Sequence, residues 1–404
     1  MAEAPPDRLD EDRVDESSAD ESRAGALRIA LGGALALAAA MGIGRFIYTP
    51  ILPFMAEALD LGKTEAGLIA SANFLGYLVG ALAAAGSLLG GDPRRWFLGA
   101  LAASTLTTAA MAWTGSFALF VALRFTGGLA SAFVLVFSSS LILERLAAAG
   151  RGSLSGLHFA GVGTGIAVSS ALVFAFGRAP GDWPALWLAG SAFSLFCLAC
   201  AFFLVPPVAP KADRVASAGK GRFAPDAALI RLAIAYALFG FGYVITATFI
   251  STIVRESATI GHLEPLVWLT VGLAAIPSVM VWNMAGRALG NARAYALACL
   301  VQAVGVALSV MTGGGLAVLL AAAMLGGTFM GLTALGLVEA RRLAPETPRR
   351  AIALMTAAFG VGQMVGPFVA GLGYDFTGSF AAPSLLAALA LVIAAALTVR
   401  VGSE

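Results

Sequence analysis

Gly42-Ile43-Gly44-Arg45-Phe46-Ile47-Tyr48-Thr49-Pro50 lies inside an apolar stretch running near 28 to 55, and its opening glycines return as Gly240-Phe241-Gly242. Two further signatures recur: Gly127-Gly128 as Gly326-Gly327, and Gly161-Val162-Gly163 as Gly360-Val361-Gly362. The offsets are 198, 199 and 199 residues. Every copy sits within a long apolar run, so the simplest account is duplication of one membrane-embedded unit of about 200 residues. Repeats of this kind are a mark of transporters.

Composition agrees. Of 404 residues, 59% are hydrophobic and 12% charged, with a mean hydropathy of +0.88. A soluble domain carries roughly 25% charge. The fold class predicted is an all-α polytopic membrane protein. At about 20 apolar residues per span, the first half reads as six helices near 28–55, 65–90, 96–113, 117–144, 152–177 and 184–205. The second reads as six near 228–254, 264–285, 293–312, 316–339, 350–375 and 382–400. The organisation expected is thus a tail over 1–26, a six-helix bundle over 27–205, a linker over 206–225 and a second bundle over 226–404. The tail carries Asp10-Glu11-Asp12 and Asp15-Glu16, reads as disordered, and lacks the apolar start of a cleavable signal.

Cationic residues set the expected orientation, because cytoplasmic loops retain Lys and Arg. With the amino terminus inside, only Lys63, Arg178 and Arg255 fall outside, Arg45 and Arg124 fall within helices, and the rest are cytoplasmic. Both termini are expected in the cytoplasm. The basic residues are scattered over loops, so the net charge of +2 carries no nucleic-acid footprint. Cys197 and Cys200 form a CxxC within an apolar span, where thiols act as small apolar groups. No metal site is expected, no Gly-x-x-x-x-Gly-Lys-Ser/Thr loop occurs, and His158 and His262 lie on opposite sides, which leaves no catalytic constellation. No cofactor and no enzymatic activity are expected.

Two six-helix halves, a basic loop after the second helix of each, and Arg124 followed by Gly127-Gly128 in helix 4 resemble the major facilitator superfamily. The loop from Gly86 through Asp92 to Arg94-Arg95 is similar to that superfamily's gating loop, with Gly90 where its acidic residue belongs and Asp92 two places on. A second copy runs from Gly286 through Gly290 and Arg293 to Tyr295. The helix 1 segment from Gly42 to Pro50 resembles the opening signature of the bacterial YbfB/YjiJ-type branch. Gly366-Pro367 and the run Tyr374 to Ser379 resemble a pattern in organic-anion porters of the superfamily. The resemblance implies a multi-pass protein of the bacterial inner membrane, acting as a monomer, with helices 1, 4, 7 and 10 around a central cavity.

The two intramembrane arginines are the leading site candidates, because a charge at the bilayer centre costs about 2.5–3.5 kcal/mol on insertion scales and faces a cavity or a partner. The repeat maps Arg45 onto Tyr243 and Arg124 onto Ala323, so the positive charge belongs to one half. Two cations without an acidic residue in the cores of helices 1, 4, 7 or 10 suit an organic anion, since arginine grips a carboxylate through two hydrogen bonds. The alternative for both arginines is structural, with Arg124 bracing helix 4 against carbonyls. Tyr48 and Thr49 share a face with Arg45, and Tyr236 and Phe239 share one with Tyr243, so these residues complete the expected substrate site. His158 is the candidate for proton coupling. Asn73 and Gln363 read as glue between helices. Gly161, Gly163, Gly165, Gly362, Gly366 and Pro367 read as close-packing positions. The function expected is alternating-access secondary transport of a small organic anion such as a monocarboxylate, coupled to protons. The alternatives are efflux of amphipathic compounds and, in another class, a non-transporting sensor.

Overall fold

The computed structural model describes residues 23–85, 91–207, 225–311 and 313–401, and every regular element among them is helical. The acidic tail up to 22, Gly86 of the first loop, and 208–224 of the linker lie outside the described residues. Among the described residues, twelve helices are long and apolar enough to cross a membrane: α1 Arg23–Leu59, α2 Lys63–Ala84, α3 Pro93–Trp113, α4 Phe117–Ala148, α5 Gly152–Phe176, α6 Pro180–Leu204, α7 Ala227–Arg255, α8 Gly261–Leu289, α9 Asn291–Met311, α10 Gly315–Leu343, α11 Pro348–Thr377 and α12 Ala381–Val399.

Local chemistry sets the ends. Asp92 caps α3 by accepting from the Arg94 backbone N–H, with Pro93 in the first turn, and Asp226 caps α7 by accepting from Leu229. α11 stops at Gly378, whose φ of 69° is left-handed. One expectation is corrected here. The second gating copy is not a loop, because Gly286 closes the last turn of α8 and Arg293 lies exposed in the first turn of α9. Only Gly290, at φ 85°, separates the two helices.

Within each set of six, short connections make successive helices antiparallel, and the Lys63–Glu256 pair sets the end of α7 beside the start of α2, so the described chain starts and finishes at one end of the bundle, called the near end below. Within the first six helices α1 packs on α5 and α6, and α4 packs on α2 and α3. The last six repeat this: α7 packs on α11 and α12, and α10 on α8 and α9. The two sets meet where α2 packs on α11 and α5 on α8, contacts that the repeat interchanges.

Glycines set how closely these helices approach. A Cβ on Gly161 or Gly165 would collide with the α1 backbone at Ala34 or Ala38, and one on Gly163 with the α8 backbone at Gly272 and Ile276. Gly362 meets the Ala237 carbonyl of α7 in the same way, and Gly366 meets Val244. Pro367 presents its own carbonyl to Gly67 of α2. Small residues at these crossings let backbones touch.

Charge closes both ends differently. At the near end Arg94 donates to the Phe202 and Val205 carbonyls, Arg28 to Phe203, and Arg145 to Pro206 and Pro207. Three guanidinium groups thus satisfy the carbonyls that end α6. Arg94 is spent on this cap, while Arg95 stays 90% exposed, 3.9 Å from Asp92. At the far end Lys63 pairs with Glu256 at 2.5 Å, and Arg255 reaches Glu57 at 3.4 Å and Glu264 at 3.6 Å. Thr64 donates to Asp375 through both its amide and its hydroxyl. Apart from Arg255–Glu264, which lies within the second set, these links tie α1 and α2 to α7 and α11 and seal the far end between the two sets.

Candidate substrate cavity

The site is built on a loosened stretch of α1. Pro50 and Pro53 have no N–H, so the carbonyls four residues before each lose their usual donors. Residues Ala38–Ile43 wind as a π-helix, with Gly44 N–H donating to Ala39 and Phe46 N–H to Met41, each five residues back. Thr49 N–H then tightens onto the Phe46 carbonyl, three residues back, and so leaves the Arg45 carbonyl.

Arg124 of α4 takes up that slack. Its Nη1 donates to the Gly44 carbonyl and its Nη2 to the Arg45 carbonyl, both at 2.8 Å. Its guanidinium carbon lies 5.1 Å from the centre of the Tyr48 ring and 5.9 Å from that of Trp187. Asn73 of α2 donates to the Arg124 backbone carbonyl at 2.9 Å, the interhelical glue expected of it. The structure therefore separates the two arginines: Arg124 is buried behind α1 as a brace, and only Arg45 reaches the cavity.

Arg45 projects the other way. Its Nη2 donates to Gln363 Oε1 of α11 at 3.2 Å, and Gln363 Nε2 in turn donates to the Tyr243 hydroxyl of α7. Its guanidinium carbon sits 4.0 Å over the Tyr77 ring and 4.9 Å from that of Phe74. Arg45 is 4% exposed, and its Nε has no hydrogen-bond partner. Cation–π contact with two rings offsets part of the cost of this burial, at about 0.5–2 kcal/mol each.

A cavity of about 160 Å³ opens beside it. Arg45 is the one charged residue on its wall among the described residues. Phe46, Tyr77, Phe159, Tyr243, Phe329 and Phe359 supply aromatic faces, and Ser139, Thr333 and Gln363 the remaining polar groups. Helices α1, α4, α7 and α10 contribute as the resemblance implied, joined by α2, α5, α8 and α11. Because Leu135, Ser139 and Leu337 lie toward the near ends of their helices, the space extends from Arg45 toward that end.

The other sequence candidates sit behind this wall. Tyr48 donates to the Ala66 carbonyl, and Thr49 donates to the Ala247 carbonyl of α7 at 2.6 Å. Tyr236 donates to the Thr333 carbonyl, and Phe239 stacks behind Tyr243 and Phe359 at 5.2 and 5.3 Å. His158 is fully buried off the cavity; its Nε2 is 3.3 Å from Ser138 Oγ and its Nδ1 has no partner. Sequence reasoning missed Tyr77, Phe329 and Phe359, and gave Gln363 only a packing role. The one usable signal was that Gln363 is a lone amide in the apolar run of α11.

A family model described as an uncharacterised MFS-type transporter, YbfB, matches residues 37–399. The chain belongs to this YbfB-type family of major facilitator superfamily transporters. It is accordingly a multi-pass membrane protein of the transporter class. A comparison with curated protein sequences gives no match. Among solved structures, a mutant of the nucleoside transporter NupG superposes with a TM-score of 0.71 at 14% identity, covering 93% of this chain and 99% of that one. At that identity the likeness speaks for the shared fold.

Proposed function

We propose that this YbfB-type transporter carries a small organic monoanion, with a monocarboxylate as the simplest case, by alternating access. One observation carries the reading: Arg45, at the cavity wall, is the one charged residue there and faces no carboxylate among the described residues. A bound carboxylate would supply the countercharge that the cavity wall lacks. The bodies that rock are the helix sets over 27–205 and 226–404, sliding on the glycine contacts of α2 with α11 and α5 with α8. With the amino terminus in the cytoplasm, the sealed far end is periplasmic and the cavity faces inward, in a monomer of the bacterial inner membrane.

For proton linkage we assign His158, next to the cavity-lining Phe159. Its ring meets Gly33, Ser138 and Phe159, none of them charged. If His158→Gln leaves the pH dependence of uptake unchanged, this assignment fails. Efflux of amphipathic compounds draws support from the aromatic wall, but a cationic drug would meet Arg45 with no carboxylate on the wall to offset it.

The test is a thermal-shift screen of the purified chain against monocarboxylates and amphipathic cations, repeated on Arg45→Gln. Stabilisation by a carboxylate that vanishes in Arg45→Gln supports the reading. Stabilisation by cations that persists in the variant overturns it.

A further inference from the structure

Three of the aromatic rings beside Arg45 lie parallel. The ring of Phe329 lies 5.7 Å from that of Tyr243 with 8° between their planes, and Phe359 lies 5.9 Å from Tyr243 at 4°. Three lining rings from α7, α10 and α11 are therefore stacked in nearly parallel planes, while Tyr77 presents its face to the guanidinium. A dry cavity of about 150 Å³ holds one benzene molecule, and this one measures about 160 Å³. It has one cation, fixed at one side, and no second charged group on its wall among the described residues.

We propose that the cavity selects aromatic monocarboxylates of one ring, with the carboxylate on Arg45 and the ring plane laid along the parallel rings of Phe329, Tyr243 and Phe359. This rests on the reading that Arg45 takes the anionic end, and adds two discriminations to it. The first is by charge number: a second carboxylate on the far side of the ring would be buried against apolar side chains without a partner. The second is by shape: offset stacking needs a planar body, so a saturated ring of the same size and charge loses that contact. Gln363 serves both, because it holds the guanidinium at 3.2 Å from its Oε1 and ties it to the hydroxyl of Tyr243, the central ring of the three.

The experiment uses the full chain purified in detergent and four probes: benzoate, terephthalate, cyclohexanecarboxylate and neutral benzamide, with dissociation constants from calorimetry. Benzoate is expected to bind at least about 100-fold more tightly than terephthalate, the scale of an uncompensated buried charge. It is expected to exceed cyclohexanecarboxylate by roughly 3- to 10-fold, the scale of one aromatic contact. Benzamide is expected not to bind measurably. Phe329→Leu should flatten the benzoate preference over cyclohexanecarboxylate while preserving that over terephthalate. The probe comparison is made on the native chain and stands whether or not this variant folds.

Equal binding of benzoate and cyclohexanecarboxylate, or terephthalate within about tenfold of benzoate, overturns the inference. If that binding still disappears in Arg45→Gln, the anion reading survives alone. Benzoate bound unchanged by Arg45→Gln, or no carboxylate bound by the native chain, overturns both.

Discussion

Gln363→Glu converts the amide beside Arg45 into a carboxylate of nearly the same shape. The acceptor atom already lies 3.2 Å from Arg45 Nη2. At that separation, and with an effective dielectric constant of about 20, the new attraction is about 5 kcal/mol before the cost of burying the carboxylate. Desolvation removes part of it, leaving a few kcal/mol, or about two orders of magnitude in affinity. The Tyr243 hydroxyl can rotate to donate to the new oxygen, so no buried group is stranded. The variant is therefore expected to unfold at a higher temperature than the native chain without ligand, yet to bind benzoate roughly 100-fold more weakly, because an internal anion occupies the guanidinium. Calorimetry with benzoate and a melting curve in the same detergent read both quantities. Benzoate bound by Gln363→Glu within about threefold of the native chain would refute the reasoning, since an anion site cannot ignore a carboxylate placed on it.

Other expectations follow from the same geometry. Arg124→Gln removes two charge-assisted hydrogen bonds to buried carbonyls, worth about 1.5–3 kcal/mol each, and Arg124→Lys cannot span both; both variants should melt well below Arg45→Gln, and equal melting temperatures would remove the brace. Gly161→Val forces a side chain against the Ala34 carbonyl and should cost about 1–3 kcal/mol or more, whereas Gly99→Ala, with nothing within 4 Å of the added carbon, should be neutral or stabilising; detergent melting curves of the two variants compare them directly. Arg255→Gln cuts the far-end links to Glu57 and Glu264, which as partly exposed pairs hold up to about 1 kcal/mol each. Its stability should fall by no more than about 2 kcal/mol, but a Thr252→Cys reporter in a background lacking Cys197, Cys200 and Cys299 should react several-fold faster with a membrane-impermeant maleimide; an unchanged rate would show that the Arg255–Glu57 pair does not latch the far end.

Much of the fold could be read from the sequence because a membrane span is declared by length and hydropathy alone. The predicted spans miss the observed helix ends by a few residues, and the misses have causes. Asp92-Pro93 is a capping pair, so α3 begins at Pro93 rather than 96. α8 runs on to Leu289 because Arg287, read as loop, sits in its last turn. The site was harder. Two buried arginines look alike in sequence, but one points at carbonyls that a π-turn and Pro50 leave short of donors, and the other lies against Gln363 and Tyr77 at the cavity wall. That difference depends on winding, and a π-turn leaves no compositional trace. Gln363 and Phe359 could not be assigned either, because the face of α11 that lines the cavity is decided by its crossing with α7, where Gly362 meets Ala237.

The most direct measurement is uptake of radiolabelled benzoate into proteoliposomes holding the native chain, Arg45→Gln or Arg124→Lys, each first shown to fold by its melting curve. The account predicts uptake by the native chain and none above empty liposomes by a folded Arg45→Gln, with any folded Arg124→Lys fraction retaining uptake. Benzoate entering at the native rate through Arg45→Gln would contradict the claim that this guanidinium holds the anion.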